Sequence, residues 1–289
     1  MANLRALKTQ MKSIKSTAKV TKALQMVAAT KIKRTEMRAK QFSFYNEGIN
    51  NIVNNMGDLS KFEGLALLRK SKSVKNILIV LIATSRGFTG SLNSNLTLHL
   101  NNFIKDLKGK NSNIKIEGLS LYKYGLKIFN RLGINVISHY GDLKEGVSTY
   151  ELIPVFEEVE KKFVDSTYDE VYVFYPKFIN TLIQKPTFER VLPVGIEKLE
   201  SKTSNSNLIF EPSKEEVLNL LVKEYFQASI YNALLQTNAS EFAARFVAMK
   251  NATDNAGKII KKLGLLYNRV RQEKITKEML DVVGGSVWT

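Results

Sequence analysis

Residues that could carry out catalysis are few in this chain and lie far apart. Its 289 residues include no cysteine, which excludes disulfides, iron–sulfur clusters and thiolate zinc sites. The two histidines, His99 and His139, lie singly, without HExxH spacing or a second ligand at a paired position. No GxSxG sequence supplies a nucleophilic serine. We therefore predict packing or surface roles for both histidines, and no catalytic, cofactor-binding or metal-binding residue.

One glycine-containing segment has a position suited to phosphate binding. The sequence TSRGFTGSLN, residues 84–93, follows the aliphatic run KNILIVLIA at 75–83. A loop between a strand and a helix can bind phosphate through its backbone amides. The segment does not match GxGxxG, however, and GxxxxGK[ST] occurs nowhere in the chain. A tight strand-to-helix turn is the favoured interpretation, and an enzyme that binds a nucleotide in its α/β domain is the alternative.

Positive charge is concentrated near the N-terminus. The net charge is +16, and residues 1–40 contain eleven Lys or Arg but a single acid, Glu36. Part of this charge forms a basic stripe, whose members directly follow residues 4, 7, 11, 14, 18 and 21, all apolar except Thr21: Arg5, Lys8, Lys12, Lys15, Lys19 and Lys22. The stripe indicates either a solvated helix face or attraction to an acidic partner, protein or nucleic acid. Nucleic acid is the weaker alternative, because no aromatic residue that could stack on bases precedes Phe42.

The elements that would position these residues begin with a long C-terminal helix. The sequence contains no proline after Pro212, and Ser213 with Glu216 forms a capping-box signature for a helix start. An apolar row with steps of four and three, interrupted only by Thr253, comprises Phe242, Phe246, Met249, Thr253, Ala256, Ile260, Leu263, Tyr267 and Val270. A mean spacing of 3.5 residues predicts the seam of a left-handed coiled coil.

A matching row lies in the N-terminal segment. Its members are Leu4, Leu7, Met11, Ile14, Ala18 and the polar Thr21. No glycine precedes Gly48 and no proline precedes Pro154, so one helix is predicted from about residue 3 to the mid-50s. Two long terminal helices would most simply pair antiparallel, with the C-terminal helix extending about 20 Å past its partner. Its end, residues 275–289, would present four apolar residues to another molecule: Ile275, Met279, Val282 and Val283.

The middle of the chain alternates between strand and helix patterns. Strands are predicted at 75–83, 114–121, 134–140 and 170–175, and amphipathic helices at 92–107, 124–132 and 150–163. This alternation predicts a mostly parallel α/β sheet. The extended segment 178–194 contains Pro186 and Pro193, which places it at a sheet edge or projecting outward. Residues 201–207 are small and polar, as in a linker.

These patterns together predict the fold class α/β: a long antiparallel left-handed coiled coil of the N- and C-terminal helices plus a central Rossmann-like α/β domain. The predicted domains are an N-terminal shaft helix at 1–57, a connector at 58–74, a central α/β domain at 75–207 and a C-terminal shaft helix at 208–289. The sequence contains no run of 18 apolar residues, so no transmembrane helix is predicted. The Lys-rich N-terminus lacks the apolar region of a secretory signal.

Three motifs make the sequence specific: KVTKALQMVAATKIKR at 19–34, SEFAARFVAMKNATDNAG at 240–257 and ITKEMLDVVGG at 275–285. Together they resemble the gamma-subunit family of the rotary ATP synthase, bacterial type. The resemblance continues through TSRGFTGSLNSNL and FINTLIQKPTFERVLPV, so it covers essentially the whole chain in order. Departures from the family pattern are Leu24 for a frequent Met, Ser85 for Asp, Thr89 for Cys, Ser286 for Ala, and the bulky Trp288.

The resemblance implies a central stalk, or rotor, subunit of the proton-driven ATP synthase. Such a subunit transmits torque between the membrane c-ring and the catalytic alpha/beta hexamer, and it regulates ATPase activity and proton flow. It is non-catalytic and binds no cofactor. Its implied partners are three alpha and three beta subunits, the epsilon subunit and the c-ring, with no nucleic acid. A nucleic-acid-binding coiled-coil protein is the alternative function.

The resemblance also implies a location and a set of contacts. The location is the cytoplasmic face of the bacterial inner membrane, as a peripheral protein held through the complex, and the mitochondrial matrix side is the less favoured alternative. The positions that match the family's contacts with the alpha/beta hexamer are Lys22, Leu24, Met26, Arg245, Arg271, Gln272, Thr276, Glu278 and Asp281. The first three would face an acidic lever of the beta subunit, which would give the basic stripe an acidic protein partner.

Overall fold

The computed structural model describes residues 4–55, 65–69, 71, 73–111, 113–141, 143, 146–194, 211 and 213–286. The chain forms two compact units. The first combines residues 1–30 with residues 245–289, and the second comprises residues 31–244. In the described ranges, no helix is long and apolar enough to cross a membrane. The predicted linker at 201–207 and Trp288 lie outside the described residues, and the predicted domain boundaries stay predictions.

Two long helices occupy the ends of the chain. Helix α1 spans Leu4–Asn55 and helix α5 spans Lys214–Ser286, as the absence of internal proline predicts. The hydroxyl of Ser213 accepts a hydrogen bond from the backbone amide of Glu216 at 3.2 Å. It also lies 3.3 Å from Glu216 Oε1, so the side chains of both residues contribute to the start of α5. The predicted start of the second helix is confirmed.

Within the first unit, the two helices pair along the predicted rows. The half-buried or buried positions of α1 include Leu4, Leu7, Met11, Ile14, Ala18 and Thr21, and those of α5 include the predicted row from Phe246 to Val270. The two polar members face each other, because the hydroxyls of Thr21 and Thr253 lie 2.8 Å apart. Ten residues earlier in α1, the methyl carbon of Met11 lies 3.9 Å from where a Cβ on Gly264 would be. The pairing is therefore antiparallel.

The second unit is built on a five-stranded sheet with the order β3-β2-β1-β4-β5. Its strands are β1 Asn76–Ile82, β2 Lys115–Leu121, β3 Asn135–Tyr140, β4 Glu170–Phe178 and β5 Gln184–Leu192. All neighbouring strands run parallel except β4 and β5, which form an antiparallel pair. Strand β5 lies at an edge, as its Pro186 requires, since proline cannot donate a hydrogen bond to a second neighbour.

Three shorter helices cover the sheet: α2 Leu92–Lys110, α3 Lys123–Leu132 and α4 Ile153–Val164. Alternate residues of β1 enter two separate clusters, since successive strand side chains point to opposite faces. One cluster packs against α4 and the start of α5, and the other packs against α2 and α3. Strand β1 is thus covered on both faces, which explains its continuous aliphatic sequence.

The observed elements differ from the predicted ones mainly at their ends. The predicted helix at 150–163 begins as a short 3-10 turn at Thr149–Leu152, and α4 starts at Ile153 with Pro154 in its first turn. Proline fits that position because its missing N–H would have no partner inside the helix. The predicted strand at 170–175 continues to Phe178, because it pairs with β5 over its whole second half.

Candidate partner-binding surface

The predicted contact residues all belong to the first unit, and most of them are exposed. The exposed positions are Lys22, Met26, Arg271, Gln272, Thr276, Glu278 and Asp281. Leu24 is half-buried, and Arg245 is only 8% exposed. Met26 is apolar although it is 63% exposed. Packing inside the protein therefore does not explain its residue type. Arg245, by contrast, is buried.

The basic stripe lies on the surface of α1. All six of its members are exposed, and their spacing of three and four residues places them on one side of the helix. The ammonium of Lys22 donates a hydrogen bond to the neutral side chain of Gln25 at 3.4 Å. In the part of the chain that the structure describes, no acid therefore neutralises Lys22. Its charge is available to a partner molecule.

The C-terminal end of α5 carries exposed apolar side chains. The half-buried row ends at Val270, and residues 271–283 are exposed. Within this end, Met279 is 66% exposed and Val282 is 72% exposed. Glu278 forms an ion pair with Lys274 at 3.5 Å, one helical turn earlier. Ion pairs of this kind stabilise a helix only weakly. The exposed apolar side chains form a surface that the first unit does not cover.

The loop after β1 binds a carboxylate of its own chain. Glu241, which is 2% exposed, accepts a hydrogen bond from the backbone amide of Ser85 at 2.7 Å and another from its hydroxyl at 3.0 Å. A phosphate in this loop would need the same backbone donors and would meet a buried negative charge. The geometry supports the turn interpretation of residues 84–93 and argues against nucleotide binding there.

The histidines lie apart, as their positions in the sequence indicate. The imidazole of His99 packs near the rings of Phe174 and Phe188, with centroid distances of 6.1 and 5.6 Å. His139 is exposed on β3. Among the described residues, no group of three or more His, Cys, Asp or Glu side chains could hold a metal ion.

Sequence reasoning missed a basic pocket in the second unit. Its volume is about 280 Å³, and it is lined by Lys31, Arg34, Thr35, Arg38, Gly146, Leu235, Asn238 and Phe242. The residues come from α1, α5 and the loop before α4, which the sequence does not place together. The spacing of 31, 34, 35 and 38 on one helix face is the signal that could have indicated it.

Comparisons with known proteins decide the family. The family model described as ATP synthase matches residues 3–287. The ATP synthase gamma chain of Nitrosospira multiformis is 35% identical over 292 residues, and the match covers 99% of both chains. The gamma chain of Janthinobacterium is 33% identical over 288 residues, again covering 99% of both. The chain belongs to the ATP synthase gamma-chain family.

Solved structures show the same fold. A chain of the Euglena gracilis mitochondrial ATP synthase matches with a TM-score of 0.66 at 20% identity, covering 98% of this chain and 93% of that one. A chain of the Tetrahymena thermophila central stalk and c-ring structure matches with a TM-score of 0.59 at 24% identity, covering 81% and 99%. The predicted fold class, long N- and C-terminal helices plus a central α/β domain, is confirmed.

Membership of the gamma-chain family bears on the other predictions. A gamma chain is a non-catalytic subunit of ATP synthase, so the prediction of a non-catalytic subunit is confirmed. The relatives do not support the alternative of a nucleic-acid-binding coiled-coil protein. The nine predicted contacts with the alpha/beta hexamer stay predictions.

Proposed function

We propose that this chain is the central stalk subunit of a proton-driven ATP synthase. In this role it transmits torque between a membrane c-ring and a catalytic alpha/beta hexamer and regulates ATPase activity and proton flow. The observation that carries the proposal is the match to gamma chains over 99% of both lengths. The partners are three alpha subunits, three beta subunits, the epsilon subunit and the c-ring.

The surface of the first unit supports this role. A stiff helix pair needs a continuous buried seam, and the half-buried rows of α1 and α5 supply it up to Val270. Beyond the seam, the exposed apolar residues of α5 fit a bearing formed by another molecule. Torque then arises because successive conformations of the hexamer pack differently against one asymmetric surface, which is differential binding to conformational states.

The predicted contact residues have separate roles in this proposal. Lys22, Leu24 and Met26 lie near an acidic lever of the beta subunit. The other predicted residues contact the alpha/beta ring or the lever region: Arg245, Arg271, Gln272, Thr276, Glu278 and Asp281. The division into shaft helices at 1–57 and 208–289, a connector at 58–74 and an α/β domain at 75–207 belongs to the proposal. So does the location, peripheral on the cytoplasmic face of a bacterial inner membrane.

Reconstitution tests the function. The purified chain is mixed with alpha and beta subunits of its own complex, and ATP hydrolysis is measured for each component and for the assembly. We expect the chain to co-purify with both subunits and to hydrolyse no ATP alone, since the catalytic groups belong to its partners. Hydrolysis by the isolated chain, or failure to enter the assembly, would contradict the proposal.

Reversal of one charge in the basic stripe should weaken coupling. In inverted membrane vesicles carrying Lys22→Glu, we expect ATP-driven proton pumping per ATP hydrolysed to fall about two- to fivefold. An exposed charge pair contributes about 0.2–1 kcal/mol, which corresponds to at most about fivefold. Pumping is measured by the quenching of a pH-sensitive dye, and hydrolysis is measured by phosphate release in the same vesicles.

The matched control for this test is Lys105→Glu. Lys105 is an exposed lysine on α2 that is not among the predicted contacts, and its reversal changes the net charge by the same amount. Coupling should stay at the wild-type level in the control. Equal coupling in both variants would mean that the basic stripe is only a solvated helix face.

A further inference from the structure

The basic pocket of the second unit is a polar cavity with one sign of charge. Lys31, Arg34 and Arg38 supply three positive charges, and no acid lines the pocket among the described residues. Neither Glu241 nor Glu151 is part of the lining. Glu241 binds Ser85, and Glu151 accepts a hydrogen bond from the backbone amide of Ser148 at 2.9 Å. The cavity therefore has a strong preference for an anion.

Two of the three cationic groups, those of Lys31 and Arg38, lie against other residues of the pocket. The ammonium of Lys31 lies 5.2 Å from the centroid of the Phe242 ring, a cation–π contact between two residues of the lining. Arg38 lies against Gly146, where an added Cβ would stand 2.7 Å from the Nη1 atom. Gly146 has a φ of +84°, so glycine both permits the turn and leaves room for the guanidinium. Preorganised donors of this kind lose little entropy when a ligand binds.

The charge of Arg38 also acts on its surroundings. Burial raises the pKa of the Tyr231 phenol, the positive charge of Arg38 opposes that shift, and the negative charge of Glu151 adds to it. Among the described residues, the ion pairs involve neither Arg34 nor Arg38. Two guanidinium groups one turn apart can therefore both bind an oxyanion with paired hydrogen bonds.

The neutral groups of the pocket limit the ligand further. The Thr35 hydroxyl donates to the backbone carbonyls of Lys31 and Ile32, each at 3.0 Å, so it can only accept from a ligand. The side-chain oxygen of Asn238 accepts from the Tyr122 hydroxyl at 3.4 Å, which leaves its amide nitrogen as a donor. A volume of about 280 Å³ lies below the ~300–1,000 Å³ typical of pockets for larger ligands.

We propose that this pocket binds a small, multiply charged phosphate anion through Arg34, Arg38 and Lys31. The shared chemistry is a diphosphate group, which comes either as free inorganic pyrophosphate or as the diphosphate of a nucleotide. A bound diphosphate joins α1, α5 and the loop at Gly146, so it stiffens the helix pair within the second unit. The site is distinct from the loop after β1 and from the predicted contacts of the first unit.

Calorimetric titration of the full chain with inorganic pyrophosphate tests the proposal. We expect saturable binding of one equivalent, and at least about a tenfold loss of affinity in Arg34→Gln/Arg38→Gln, because each guanidinium supplies charge-assisted hydrogen bonds. Arg34→Gln alone removes an exposed side chain, and it keeps the test valid if the double variant unfolds. A parallel titration with ADP distinguishes the two sources: comparable affinity for ADP assigns the nucleotide diphosphate, and weaker affinity assigns the free anion.

The control removes the same charge from the same helix. Lys33 and Lys40 are exposed on α1 and do not line the pocket, so Lys33→Gln/Lys40→Gln should keep its affinity within about twofold. Equal losses of affinity in both double variants would mean that only general electrostatic attraction binds pyrophosphate, and this would overturn the proposal. So would citrate binding as tightly as pyrophosphate, or an absence of saturable pyrophosphate binding. Arginine-dependent binding of an acidic peptide, without pyrophosphate binding, would assign the pocket to a protein partner instead.

Discussion

Replacement of Phe129 by alanine is expected to lower the free energy of unfolding by about 3–5 kcal/mol. The ring is fully buried in the cluster that joins β1 to α2 and α3. Its removal loses the free energy gained when the ring is transferred from water to the core. It also leaves a cavity that the tightly packed sheet and helices cannot close. Urea denaturation followed by circular dichroism measures the loss. Phe44→Ala is the control, because Phe44 is 65% exposed and its replacement should change stability by less than about 0.5 kcal/mol.

The same ring explains why position 118 is glycine. A Cβ on Gly118 would lie 2.7 Å from two carbons of the Phe129 ring. Strand β2 cannot move away, because it is paired to β1 on one side and to β3 on the other. We expect Gly118→Ala to lower the free energy of unfolding by about 1–3 kcal/mol, because the added methyl group overpacks this part of the core.

A double-mutant cycle shows whether the stability losses of Gly118→Ala and Phe129→Ala both depend on the contact between these two positions. In Gly118→Ala/Phe129→Ala the added methyl group occupies space that the ring has left, so the combined cost should be smaller than the sum by about 1 kcal/mol or more. Simple additivity of the two costs would mean that the ring does not restrict residue 118.

Replacement of Glu241 by alanine is the second change with a large expected effect. The loss should be about 3 kcal/mol, because the Ser85 amide and hydroxyl would both lose a charged acceptor inside the protein. Glu241→Gln keeps an acceptor oxygen without the charge, so it should cost less than the alanine variant. Denaturant unfolding gives the stability, and hydrogen exchange at the Ser85 amide shows whether the loop opens.

The control for Glu241 is an acid of the same type on the same helix. Glu273 is exposed and pairs with Arg269 at 3.0 Å one turn earlier, so Glu273→Ala should cost only about 0.3 kcal/mol. Unchanged exchange of the Ser85 amide in Glu241→Ala would show that the loop after β1 does not depend on this carboxylate. A similar loss in both variants would contradict the role of burial.

Local patterns predicted the elements well because the forces that form them act over a few residues. The four-and-three spacing from Phe246 to Val270 depends only on helix geometry, and the same positions are the half-buried ones. The strand at 76–82 followed from a continuous aliphatic run, which requires cover on both faces. Even the two polar interruptions, Thr21 and Thr253, were visible in the sequence, although their mutual hydrogen bond was not.

Patterns in the sequence were enough to predict the long helices, the α/β alternation and the edge position of the segment with Pro186, and three motifs indicated the gamma-chain family. Which distant residues meet could be read only from the folded chain. Glu241 reaches Ser85 across 156 residues, and the basic pocket draws its lining from three separated segments. The periodicity of apolar residues predicts which face of a helix or strand is buried, but it does not predict which other element covers that face. That element depends on packing and loop closure over the whole chain, which exist only in the folded protein.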